Sequence, residues 1–258
     1  MAEFNSWLSY YQFAQAVKSQ RRYMRDSETE HFLQTVLTTS FNRQEVAPSG
    51  THFFRAQLGC EIRREGPEEI YPYFPFCPER MIPLCDRARE GRANPKGIPY
   101  LYLAVEKDTA IAEVRPWVGS FVSIAQFALK REIRVVNCVT GQRESLLRYD
   151  DEPPPDERER FVWQHIDRAL SRPLTTEDDS ADYAPTQVIA EFFRENELDG
   201  IAYGSSLGPG HNVALFDIDV ASVVNCGVVQ IKRMKFEYSA ASNTYSVPDM
   251  PKSEKDGV

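Results

Sequence analysis

From Gly91 to Trp117 the chain reads GRANPKGIPYLYLAVEKDTAIAEVRPW, and no other stretch restricts its fold as tightly. Tyr100 to Ala104 carries the aromatic and aliphatic residues suited to a pleated, half-buried strand. Asp108 then offers a side-chain cap for a helix over Thr109 to Arg115, and Pro116, which blocks helical continuation, closes it. A Gly-Arg loop, a strand and a short helix thus follow one another with little connecting chain. Glu113 falls in the middle of that helix, among Ala110, Ile111, Ala112 and Val114. Small apolar neighbours belong inside a protein, so the pattern predicts a partly buried carboxylate.

The remaining segments also alternate between the two periodicities. Ser27-Glu28-Thr29-Glu30 has the form of a capping box, and Phe32, Leu33, Val36 and Leu37 follow at helical spacing. His52 to Gln57 reads as a strand with Arg55 inside an apolar-aromatic run, where a charge needs an anionic partner. Pro67 to Pro99 is dense in proline and charge and reads as a long irregular loop. Strands are expected over Phe121 to Leu129, Ile133 to Val139, Asp199 to Ser206, Asn212 to Ile218 and Gly227 to Tyr238. Asp150 to Pro155 breaks the chain before two helices. The first places Phe161, Val162, Ile166, Ala169 and Leu170 on one face, and the second opens at Pro185 with Val188, Ile189, Phe192 and Phe193.

This order predicts one mixed α+β domain over residues 51–238, a helical N-terminal extension over 1–50, and a polar, disordered tail over 239–258. Thirty Lys and Arg against thirty-eight Asp and Glu leave a net charge of −8, which argues against a broad electrostatic grip on nucleic acid. No apolar run is long enough for a membrane span, and the N-terminus has neither the basic start nor the apolar core of a secretory signal, so a cytoplasmic protein is expected. Five cysteines with no Cys-x-x-Cys pair suit free thiols in a reducing compartment. The four histidines show no metal-ligand spacing, and no metal is expected.

Several residues carry chemistry if the fold brings them together. Arg55 and Arg92 could hold phosphate oxygens with their planar donor forks. Tyr100 and Tyr102 share one face of their strand, so one could stack on a flat ring while the other packs in the core. Glu113 could stabilise an oxocarbenium-like charge, or it could pair with Arg115, Lys96 or Lys107. Asp199 to Asn212 is a strand entering a glycine-rich loop, where Ser205, Ser206 and Asn212 could bond phosphate or ribose. It matches neither the dinucleotide fingerprint nor the Walker A loop. A basic group for phosphate, an aromatic surface and a carboxylate for a developing cation are what NAD cleavage requires.

Three segments give the chain a resemblance to the RES-domain family, the toxin halves of RES-Xre toxin-antitoxin pairs. They are Phe53-Phe54-Arg55, the block from Gly91-Arg92 through Tyr100 to Ala104 and on to Val114, and Asp199 to Ser206 followed by Asn212 to Phe216. The resemblance implies an ADP-ribosyltransferase-like fold and an enzyme that breaks the nicotinamide-ribose bond of NAD, with water or inorganic phosphate as acceptor. It implies Arg55, Tyr102, Glu113 and Ser205 as the central site, Arg92 as a second anion contact, Ser206 as a rival for Ser205, and an Xre-type antitoxin as partner. Protein ADP-ribosylation and nucleotide binding without catalysis are the alternatives. The chain departs from the family pattern at Ala56 and Ala93.

Overall fold

The computed structural model describes residues 3–63, 73–85, 87–140, 152–172 and 180–235. Two helices open the chain, α1 (Ser9–Ser19) and α2 (Ser27–Ser40), and strand β1 (Gln44–Ala47) follows. Then come β2 (His52–Leu58), a two-stranded ribbon of β3 (Glu61–Ile62) and β4 (Tyr73–Phe74), the single-turn helix α3 (Pro78–Met81), β5 (Leu101–Ala104) and α4 (Lys107–Glu113). The second half runs β6 (Phe121–Leu129), β7 (Ile133–Asn137), α5 (Pro155–Ser171), α6 (Ala184–Glu195), β8 (Gly200–Gly204), β9 (His211–Leu215) and β10 (Ala221–Gln230). The fold is α+β, as expected.

Eight strands form one sheet in the order β1-β7-β8-β9-β5-β2-β6-β10, antiparallel everywhere except between β7 and β8. A parallel pair needs a long crossover, and α5 with α6 supplies it. Both helices carry broad apolar stripes that pack with α1 and α2 against the sheet face bearing Tyr100, Ile201, Tyr203 and Ala214. Strand pairing aligns Tyr102 with Ala214 and Ala104 with Asn212. Tyr102 packs toward the α5–α6 layer, whereas Ala104, two residues on and facing the same side, packs under α4 with Ala56, Ala110 and Ile124. The two helical layers therefore leave a gap above β5 and β9. The opposite face holds a second core of Phe53, Leu101, Leu103, Phe127, Val213 and Leu215.

Several elements differ from their expected form. Asp26 rather than Ser27 caps α2, its carboxylate accepting from the Thr29 amide at 2.9 Å. The N-terminal extension is not wholly helical, because β1 completes the sheet edge against β7, and α1 and α2 join the main core instead of standing apart. The last strand begins at Ala221 and ends at Gln230; a register shift between Val223 and Asn225 breaks the alternation that would have marked its start. Residues 236–238 of the expected strand, the 239–258 tail, Pro67 to Pro72 and Asp150-Asp151 lie outside the described residues. The proline-rich loop also contains packed parts: Tyr73 stacks on Phe121 at 4.1 Å, and Phe76 and Met81 are buried.

Candidate functional site

Helix α4 starts one residue before the expected cap and ends on Glu113, so this carboxylate stands at the helix C-terminus and not in its middle. It is exposed rather than partly buried. A helix end carrying unpaired carbonyls is an unfavourable place for negative charge. Two donors offset that: Ser205 Oγ at 2.8 Å and Asn212 Nδ2 at 2.6 Å both bond Glu113 Oε1. Arg115, just past the helix, adopts a left-handed φ of 46° and turns the chain away before Pro116.

Ser205 reaches Glu113 because the loop from Ser205 to Gly210 lies directly on α4. A side chain at Gly208 would meet Thr109 Cα at 2.8 Å, and Gly210 has a φ of +78° that favours glycine. Thr109 Oγ1 bonds the Pro209 carbonyl, and Ser205 Oγ also accepts the amides of Leu207 and Gly208, both at 3.1 Å. At the loop's start, buried Asp167 of α5 accepts the Gly204 amide at 2.9 Å. Ser206 turns the other way and donates to the Ser171 carbonyl at 2.6 Å. Of the two serines, Ser205 is the one at the carboxylate.

The Gly-Arg loop is held by Tyr102. Its hydroxyl donates to Asn94 Oδ1 at 2.7 Å and accepts the Ala93 amide at 3.0 Å, and burial pushes its proton affinity up. A side chain on Gly91 would meet that hydroxyl at 2.6 Å and Asn94 Oδ1 at 2.5 Å, which explains the glycine. Asn94 in turn donates to the carbonyls of Arg89, Pro95 and Ile98, and Gln187 of α6 bonds the carbonyls of Gly91 and Asn94. Thr186 Oγ1 fixes the Arg92 carbonyl at 2.5 Å. Arg92 Nη1 then donates to the Leu170 carbonyl at 2.8 Å, at the end of α5.

Arg55 is set on β2 with its Nη1 buried and lacking any hydrogen-bond partner. Desolvation lowers its pKa from 12.5 to about 10, with the neighbouring Tyr102 acting weakly in the opposite sense. A buried guanidinium nitrogen without an acceptor is costly unless an anion supplies one.

Two adjoining cavities of about 330 and 310 Å³ occupy the gap over β5 and β9, and both are lined by Arg92, Glu113, Tyr203 and Asn212. Arg115 closes one, and Arg55 and Tyr102 line the other. Arg55, Arg92, Tyr102, Glu113, Ser205 and Asn212 are thereby brought to one place. Tyr100 is not: it lies in the core, 5.0 Å from the Phe216 ring and under Arg194. Sequence reasoning missed Tyr203, Asn94, Thr186 and Gln187. Thr186 and Gln187 open a helix whose other inward residues are apolar, and that mismatch was the available signal. Among the described residues no cluster of His, Cys, Asp and Glu could hold a metal ion.

A protein-family model described as RES domain matches residues 75–237. The chain belongs to the RES-domain family. The match includes Arg92, Tyr102, Glu113, Ser205 and Asn212, whereas Arg55, α1 and α2 precede it. Among solved structures, the M. tuberculosis MbcT-MbcA toxin-antitoxin complex is similar at a TM-score of 0.40 and 12% identity, over 76% of this chain and 92% of that one. No curated protein is significantly similar in sequence.

Proposed function

We propose that this RES-domain protein is an enzyme that cleaves the nicotinamide-ribose bond of NAD. The observation that carries this reading is Glu113, held at the cavity mouth by Ser205 and Asn212, beside Arg92 and the unpartnered guanidinium nitrogen of Arg55. Arg55 and Arg92 would meet the pyrophosphate, and Glu113 would face the ribose. In the reaction the C1′–N bond breaks and its electron pair neutralises the pyridinium ring, so nicotinamide leaves without needing a proton. The oxocarbenium-like ribosyl cation that forms is stabilised by a fixed carboxylate. Water or phosphate then adds at C1′, and the surplus proton passes to solvent.

In this reading Tyr102 supports the Arg92 loop through a hydroxyl that is already doubly bonded, and Ser205 orients Glu113 through one oxygen, leaving Oε2 for substrate. The family resemblance adds a toxin role, an ADP-ribosyltransferase-like ancestry and an Xre-type antitoxin that covers the site. Transfer to a protein side chain has less support, since Tyr73 and Phe76 of the aromatic loop pack on the domain. Incubating the protein with NAD and following nicotinamide release, with and without phosphate, tests the proposal. Release that disappears in Glu113→Gln supports it, and no release by the intact protein overturns it.

A further inference from the structure

We propose that a third cavity, between α1 and the end of α5, holds the adenosine phosphate end of the dinucleotide, with Arg92 at the pyrophosphate between the two sites. The inference rests on the NAD-cleaving reading and adds where the other half of the substrate lies. This cavity has a volume of about 190 Å³, below the roughly 300–1,000 Å³ of a site that encloses a whole drug-sized ligand. It suits one end of a longer molecule. Arg92 lines it and both cavities at Glu113, and Tyr183 lines it together with the Arg55 cavity, so the three adjoin one another at these two residues.

The lining has the chemistry of nucleotide recognition. Among the described residues that line it, Lys18, Arg92, Arg168 and Arg172 stand with one acid, Asp182, which Lys18 engages at 2.5 Å. The excess positive charge suits phosphate oxygens, on a protein that is acidic overall. The same cavity has an aromatic side. Tyr11 and His165 lie 4.5 Å apart between ring centroids, with Tyr10 and Tyr183 beside them. His165 is 2% exposed, with both ring nitrogens buried. Burial and the Arg168 charge lower its pKa to about 4, against a backbone hydrogen bond with Trp7, so at neutral pH the ring is uncharged and adds an apolar face beside Tyr11. Tyr10, Tyr11 and Lys18 come from α1, which precedes the RES match, so the N-terminal extension builds one wall of this cavity.

Two variants of the full chain test this, Arg168→Gln and Tyr11→Ala, both at exposed positions. AMP is titrated calorimetrically into each protein, and nicotinamide release is measured with NAD and with nicotinamide mononucleotide, which lacks the adenosine half. The expected results are AMP binding that competes with NAD, a rise in KM for NAD of about tenfold in each variant with kcat held within about twofold, and an equal loss of the preference for NAD over the mononucleotide. AMP that binds without competing marks a separate effector site and overturns the proposal, as do variants that bind AMP like the wild type. If no NAD is cleaved, AMP binding lost in both variants still supports the subsite while the catalytic reading falls.

Discussion

Replacing Arg55 by Met should make the ligand-free protein more stable. Burial lowers the guanidinium to about 10, well below the usual arginine range, and leaves its Nη1 without an acceptor. At about 1.4 kcal/mol for each tenfold change in proton affinity, that displacement corresponds to roughly 3 kcal/mol of penalty in the folded state. Methionine keeps much of the aliphatic length and removes the charge, so after some lost packing a gain of about 1–3 kcal/mol is expected. For a domain of this size that is a rise in Tm of roughly 2–10 °C. The sign follows from linkage: the unfolded chain binds the proton more tightly, so the wild-type penalty is complete below pH 10 and fades as pH rises toward 12.5. The assay is thermal denaturation at neutral pH with and without ADP-ribose, which carries the pyrophosphate but has no nicotinamide to lose. Wild type should gain from ADP-ribose, and Arg55→Met should begin higher and gain little. A variant destabilised by more than about 1 kcal/mol, or one protected by ADP-ribose as fully as wild type, would refute the reasoning.

Glu113→Gln should lower nicotinamide release by about 10²–10³-fold, the usual loss when a transition-state charge partner is removed, with Tm nearly unchanged because the residue is exposed; a fall of less than tenfold would remove Glu113 from the chemistry. Ser205→Ala should cost about tenfold in kcat by leaving Glu113 a single donor, and wild-type turnover would rule out an orienting role. Tyr102→Phe should cost about 1–3 kcal/mol of stability, measured by denaturant unfolding, because Asn94 Oδ1 and the Ala93 amide lose their shared partner. Between pH 6.5 and 4 the unfolded chain protonates His165 while the folded one resists, so stability should fall on acidification and fall less in His165→Phe. Parallel acid-unfolding curves for the two proteins would count against that account.

The elements most legible in the sequence were those whose side chains repeat with one period. Val188, Ile189, Phe192 and Phe193 marked α6, and Phe121 to Leu129 marked β6, because burial on one face imposes a pattern on neighbouring residues. β1 and the start of β10 were not legible. An edge strand with exposed residues and a bulged strand carry no clean alternation. Helix α4 was placed two residues late, since its actual cap, Glu106, makes no side-chain bond of the kind expected of Asp108.

By itself the sequence determined which chemistry was available: arginines, a carboxylate and hydroxyls distributed over Arg55, the Gly91 to Trp117 block and the Ser205 loop. Gly91, Gly208 and Gly210 announced close approaches without saying to what. Only the tertiary structure decided the partners, because Glu113 is joined to Asn212 across 99 residues of chain and Arg92 to Leu170 across 78. It also separated Tyr102 from Tyr100 and Ser205 from Ser206, pairs that local spacing left equivalent. The physical reason is that residue type and period constrain neighbours along the chain, whereas the gap between the two helical layers arises where strands distant in sequence pair side by side.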